Sequence, residues 1–325
     1  MLVTAGERIS MTLLTMAIKK LDIDAISFTG SQSGIITENR HQGARILEIK
    51  PQRIIEALAS DKVVIIAGYQ GVSREREVTT LGRGGSDTSA VAMAAALQAE
   101  VCEIYSDVDG VYSTDPRICD QARHLADITF QEMQTMSNAG AKVLNAQAVE
   151  FARKAGIVIH ARKAHSDSQK MTKVHHLSEA QRLSDVVAVV GAAAVEIEAE
   201  LADVTAIYGA MESAGAQLHH AESQGETDLS VWLIAGMSGV EDGSLPASIP
   251  LHKVGIQPVS TVTVVVSGAS LVDIENGDEA LQRAEIFAKR RRLTASSWTW
   301  LVERDDEQEA VRTLHRLWCE PREER

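Results

Sequence analysis

TTLGRGGSDTSAVAMAAAL, from Thr79 to Leu97, runs from a short strand-like stretch through three glycines into an alanine-rich segment free of proline. Strand, glycine turn and helix in that order form half of a βαβ unit, with the helix start facing outward. Gly82, Gly84 and Gly85 let backbone N–H groups approach a ligand closely, and the helix start adds partial positive charge. Arg83 adds a planar fork suited to a carboxylate or a phosphate. Ser86 or Asp87 is the expected helix cap. A glycine turn with an ordinary cap uses the same residues, so this loop alone does not decide the chemistry.

Around this stretch the first half of the chain alternates helical patterns with short apolar runs, which predicts a mostly parallel sheet covered by helices. Strands are expected at Ala25–Phe28, Val63–Ala67, Val101–Tyr105 and Ile157–His160. Glu7–Leu21 carries apolar residues on two faces and is expected as a helix buried between layers. Thr88–Gln98 is expected as a buried helix, Ala139–Ala155 as a helix stopped by Gly156, and Pro51 opens a further helix. Ala164–Arg182 is polar and reads as a linker. Beyond it the pattern predicts strand Val186–Val190, helix Ile197–Ala214, and strands Gln217–Ala221 and Asp228–Ile234. A second unit follows: strand Thr261–Val266, helix Asp278–Arg291, strand Ser296–Val302 and helix Glu307–Trp318. Two units of similar size suggest a tandem pair of small α+β modules.

The chain has 325 residues, 45% of them hydrophobic, which is enough for real cores. Its 32 basic and 45 acidic side chains leave a net charge of −13, which argues against a nucleic-acid or anionic-membrane binder. The longest apolar run, Val186–Val195, falls far short of the ~20 residues that span a bilayer, and the opening MLVTAGERIS lacks a signal peptide's basic region. Cys102, Cys119 and Cys319 are too scattered to suggest a disulfide framework or a zinc site, and a reduced, cytoplasmic protein is expected. No metal ligands are assigned. Adjacent histidines, His175–His176 and His219–His220, would point to opposite faces of a strand. Trp298 and Trp300 share one strand face, read as a module–module contact.

A second loop, YSDVDGVYSTDPR at Tyr105–Arg117, follows the Val101–Tyr105 strand, where ligands of open α/β sheets bind. Asp107 and Asp109 could orient a nucleotide directly or through magnesium, and Tyr112 could stack on a base. An Asx-turn loop around Gly110 accounts equally well for the same residues.

Together the two loops resemble those of aspartokinases. So do TAGERIS at Thr4–Ser10, FTGSQSGIIT at Phe28–Thr37, ARILEI at Ala44–Ile49, VIIAGYQGV at Val64–Val72 and GAKVL at Gly140–Leu144. The resemblance is continuous from residue 1 to about Arg162. It implies an amino-acid-kinase fold, a three-layer αβα sandwich with a mainly parallel sheet over 1–165. A linker at 166–183 and two ferredoxin-like ACT modules at 184–257 and 258–325 would complete the chain. It also implies ATP-dependent phosphorylation of the L-aspartate side-chain carboxylate to 4-phospho-L-aspartate, with Mg²⁺ carried on the nucleotide. That reaction opens lysine, threonine and methionine biosynthesis. Glu7 then holds the substrate ammonium and Arg83 a substrate carboxylate. Gly84, Gly85 and Ser86 line the pocket floor, and Asp87 organises phosphoryl transfer. Ser106, Asp107, Tyr112 and Arg117 match the nucleotide loop, and Lys142 a lysine beside the ATP phosphates. A homodimer is expected.

The pattern also departs from the family. Aligned on these motifs, Met1 falls after the strand and K-[FY]-G-G-[ST]-S loop that supply the phosphate-bridging lysine. The expectation is a gene start placed too late. The alternative is a catalytically impaired paralogue acting as an amino-acid-binding regulatory or assembly subunit. Asn145, Ala146 and Gln147 stand where the family has H-P-R. The C-terminal match is weak, carried by TDLSVWL at Thr227–Leu233, VTVVVSG at Val262–Gly268 and EAVRTLHRLW at Glu309–Trp318. The effector loop D-R-P-G is replaced by Ala192–Val195, and the second module is expected to lack a strand between Arg292 and Ser296. Binding of lysine or threonine at these degraded ACT sites is therefore expected to be altered or absent.

Overall fold

The computed structural model describes residues 1–82, 84–165, 170–177, 186–200, 217–223, 228–234, 255–267 and 272–320. The elements of the first half are α1 (Leu2–Lys19), β1 (Ala25–Phe28), β2 (Ile35–Thr37), β3 (Ile46–Ile49), α2 (Gln52–Leu58), β4 (Val63–Ile66), β5 (Gln70–Ser73), β6 (Val78–Thr80), α3 (Gly85–Ala96) and β7 (Val101–Ser106). Next come β8 (Val111–Tyr112), β9 (His124–Leu125), β10 (Asp127–Thr129), α4 (Phe130–Asn138), α5 (Ala146–Ala155), β11 (Val158–Lys163) and β12 (Met171–His175). The remainder is β13 (Val186–Glu200), β14 (Gln217–Ser223), β15 (Asp228–Ile234), β16 (Gly255–Val266), α6 (Val272–Arg283), β17 (Arg290–Leu293), β18 (Ser297–Glu303) and α7 (Glu307–Trp318). None of the described helices is long and apolar enough to cross a membrane.

The chain divides into two compact units, one of residues 1–107, 144–164 and 173–175, the other of residues 108–143, 165–172 and 176–325. In the first, the short apolar runs pair as the alternation requires: β1 with β4 and β7 with β11, both parallel. Phe28, Ile35, Ile54, Ala57 and Met93 form a core between these strands and the helices. This is a mainly parallel α/β fold.

Helix α1 departs from expectation. It begins at Leu2, and only its Thr4–Met11–Thr15–Ile18 side turns inward. Ile9 is 63% exposed, Leu13 60% and Met16 62%, so the helix is not buried between layers. Periodicity assigns residues to sides of a helix and is silent about which sides find a neighbour. The expected helix at Ala139–Ala155 is also shorter. Gly140 takes φ +107°, and α5 starts only after Asn145, whose side chain caps it. Within the expected linker, Met171–His175 is a strand with Thr172 and Val174 fully buried, as their two-residue spacing permits.

In the second unit, six strands form an antiparallel sheet in the order β14-β15-β13-β16-β18-β17. β13 runs unbroken for 15 residues, through the start of the helix expected at Ile197. The rest of that expected helix lies outside the described residues. The strand thought missing from the last module is β17, paired antiparallel with β18, and the helix before it ends at Arg283. Trp298 and Trp300 are core residues rather than a module contact. They pack against Trp318 of α7, with centroids 5.6 and 6.3 Å away, and the Trp300 indole N–H donates to Asp278 Oδ1 at 2.7 Å.

Candidate active site

In the first unit, the glycine loop between β6 and α3 adopts backbone that only glycine takes easily. Gly82 and Gly84 have φ of +83° and +68°, and Gly84 is the residue that caps α3, without a side-chain bond. Neither Ser86 nor Asp87 caps the helix. Asp87 sits in its first turn, where the dipole favours a carboxylate. Arg83 lies outside the described residues. A Cβ at Gly84 would fall 2.5 Å from Asn145 Nδ2 and 2.8 Å from Asn145 Cβ, and one at Gly85 2.8 Å from Leu81 Cβ. The loop is therefore pressed against the start of α5.

Asn145, noted in the sequence only as a departure from the family's H-P-R, makes the contact. Its Oδ1 accepts from the N–H groups of Gln147 at 2.8 Å and Ala148 at 3.4 Å, which caps α5. Its own backbone N–H donates to the Asp87 carboxylate. Burial pushes the Asp87 carboxyl above its ordinary value, and the Asn145 N–H partly offsets that. The charge of Asp87 also reaches Cys102 on β7, whose thiol is pushed up to about 11, chiefly by burial. Replacing Asn145 by Ala is expected to cost about 0.5–2 kcal/mol through the lost cap, read as a lower unfolding midpoint. The backbone bond to Asp87 should survive that change.

The loop before β5 closes the other side. Tyr69, at φ +68°, accepts from the Leu81 N–H at 3.0 Å and donates its own N–H to Ser89 Oγ of α3 at 3.3 Å. The buried Gln70 accepts from Arg8 Nε at 3.3 Å and donates to the Thr4 carbonyl at 3.4 Å. Glu7 lies half-buried on this same stretch of α1. The segments holding Glu7, Tyr69–Gln70, Gly84–Asp87 and Asn145 thus form one linked chain of contacts within the unit. Ser86 is exposed at the start of α3. Ser106 ends β7, where its carbonyl accepts from Ala164 N–H at 2.8 Å, and Asp107 beyond it is exposed.

The other nucleotide-loop residues belong to the second unit. The Tyr112 hydroxyl donates to Asp109 Oδ1 at 2.9 Å, and its ring meets His124 edge-on at 5.2 Å. Arg117 forks onto Asp115, with Nε at 3.0 Å and an outer nitrogen at 2.6 Å. That fork holds the Asp115 carboxyl below its usual range, and the exposed Lys142 lowers it further. Arg117 and Lys142 therefore sit around one carboxylate and form a cationic corner.

Residues 1–162 match the Amino acid kinase family. The aspartokinase of Mycolicibacterium smegmatis is 55% identical over 168 residues, 51% of this chain and 40% of that protein. That of Corynebacterium glutamicum is 54% identical over the same shares. The chain thus spans well under half the length of these curated relatives. Among solved structures, E. coli aspartokinase III in complex with aspartate and ADP superposes with a TM-score of 0.83 at 22% identity, over 98% of this chain and 75% of that one. Clostridium acetobutylicum aspartate kinase gives 0.71 at 21% identity, over 97% and 74%. These two establish the fold, including the strand and helix modules of the C-terminal half. Residues 1–162 are an amino acid kinase family domain.

Proposed function

We propose that this chain is an aspartate kinase that transfers the γ-phosphate of ATP to the side-chain carboxylate of L-aspartate. One observation carries the reading. A glycine loop in left-handed backbone presents the first turn of α3 with a half-buried carboxylate, Asp87, in a segment 55% identical to an aspartokinase. Phosphoryl transfer asks a protein for positioning and charge neutralisation more than for covalent chemistry. Glu7 orients the substrate ammonium, Arg83 a carboxylate, and the backbone of Gly84, Gly85 and Ser86 forms the floor. Ser106, Asp107 and Tyr112 hold the nucleotide. Arg117 and Lys142 are assigned to offset the repulsion between an attacking carboxylate and a polyphosphate.

Magnesium is a hard cation that takes oxygen ligands, usually one or two carboxylates beside phosphate. The oxygen donors of Asp87 and the exposed Asp107 suit it, and a carboxylate penalised by burial gains from a nearby cation. When bound with ATP it would neutralise phosphate charge. The protein is proposed to work in the cytoplasm as a homodimer. The effector position is altered: Ala192–Glu196 lies inside β13, and the buried Glu196 pairs with Arg290 Nε at 3.0 Å rather than opening a loop to an amino acid.

The test is aspartyl hydroxamate formation from ATP and aspartate by this chain alone. The expected result is activity above background, unchanged by added lysine or threonine. No turnover with calorimetric binding of both substrates retained would instead support the impaired paralogue. Loss of both turnover and binding would overturn the assignment.

A further inference from the structure

In the second unit, three side chains far apart in sequence meet where the loop after β8 passes the end of α7. Cys119 Sγ lies 3.5 Å from His315 Nδ1, His315 Nδ1 lies 3.6 Å from Glu320 Oε1, and Cys119 Sγ lies 3.9 Å from Glu320 Oε1. A triangle with those sides has a common point about 2.1 Å from all three corners. Zinc takes sulfur at about 2.3 Å, imidazole nitrogen at about 2.0–2.1 Å and carboxylate oxygen at about 2.0–2.2 Å. One ion therefore fits among these atoms with almost no movement. We propose that Cys119, His315 and Glu320 form a zinc site, with a fourth position left for water.

The surroundings match what such a site needs. His315 is fully buried, and its other ring nitrogen, Nε2, is 2.8 Å from Ser113 Oγ. That partner fixes the ring and leaves Nδ1 facing the thiol and the carboxylate, the usual second-shell arrangement around a ligating histidine. Ser113 is itself held, since its Oγ accepts from the Arg123 N–H at 2.8 Å and its carbonyl from the Val189 N–H at 2.7 Å. The Glu320 side chain is 25% exposed and gives the ion a way in. His315 and Glu320 flank the C-terminus of α7, where partial negative charge favours a cation. A thiolate and a carboxylate balance the two charges of Zn²⁺. Arg123, whose guanidinium bonds the Cys319 thiol nearby, opposes it.

The site would tie together two segments far apart in sequence. Cys119 lies in the loop between β8 and β9 that also carries Arg117, and Arg312 of α7 already bonds the Ile118 carbonyl at 2.9 Å. Zinc would clip that loop to α7. The full chain, stripped with a chelator, is titrated with Co²⁺ and then Zn²⁺. The expected result is one equivalent of Co²⁺ showing four-coordinate visible absorption and a sulfur-to-cobalt charge-transfer band, displaced by Zn²⁺. Cys119→Ser should abolish the charge-transfer band. Glu320→Gln changes a partly exposed side chain and should leave far-ultraviolet circular dichroism unchanged while weakening binding by about tenfold or more. Absence of saturable Co²⁺ binding, or binding with the same spectrum in Cys119→Ser, overturns the proposal. If Cys119→Ser does not fold, unchanged affinity in Glu320→Gln overturns it. The readout is metal binding, so it is independent of whether the chain phosphorylates aspartate.

Discussion

Asp87→Asn is expected to lower the rate of aspartyl hydroxamate formation by about 10²–10³-fold while leaving the protein as stable as the parent, or more so, at neutral pH. The stability half follows from burial. The folded-state pKa of Asp87 is raised, mainly by desolvation. Its contribution to stability is then fully present below the unfolded pKa of about 3.9 and is lost as pH rises through the higher folded value. At pH 7 the ionised group is a liability to the fold. The amide does not titrate, and its Oδ1 can still accept the Asn145 N–H. The variant's unfolding midpoint should therefore gain on the parent's as pH increases from about 4, in thermal melts at several pH values. A carboxylate kept at a stability cost is the pattern expected of a functional group. If the variant loses stability and rate together, Asp87 is instead a structural partner of α5, and the assignment fails.

The rate half has its own check. A group that acts on the transferring phosphate lowers kcat with little change in the KM for aspartate, whereas a group that merely shapes the pocket raises KM. The effect is large because a half-buried charge at the reacting centre is less screened than one in bulk water.

What the sequence disclosed follows physical lines. The parallel strands were legible because β1 and β4 are short, mostly apolar runs and because β7 and β11 bury every second residue. The glycine loop was legible because left-handed backbone demands glycine. Read from sequence, β13 is cut short at Val190, because the effector-loop position is placed at Ala192–Val195 and a helix from Ile197, although Val195–Glu198 alternates apolar with acidic residues. Alternation gave the better reading, and the buried Glu196 is accommodated by Arg290, 94 residues away. Asn145 carried a visible signal, a capping residue ahead of an amphipathic run, which was lost once the helix was started before Gly140. The Cys119–His315–Glu320 cluster carried none, because nearly two hundred residues separate the thiol from the imidazole. Only the folded loop brings them together.

Gly84→Ala is expected to destabilise the first unit by about 2–5 kcal/mol, from two sources that can be separated. A left-handed φ of +68° costs an alanine roughly 1–2 kcal/mol. The remainder is collision, since the new Cβ lies 2.5 Å from Asn145 Nδ2 and 2.8 Å from Asn145 Cβ. Rotating the Asn145 amide away would relieve the first contact but surrender the α5 cap, and it would not move the second. Asn145→Gly removes all of these side-chain atoms. In that background Gly84→Ala should cost only the roughly 1–2 kcal/mol of backbone strain, so the double-mutant cycle should give a coupling of about 1–3 kcal/mol. An equal penalty in both backgrounds would mean that the loop and α5 are not pressed together. The close approach that fixes Asp87 beside the Asn145 N–H would then have to be abandoned.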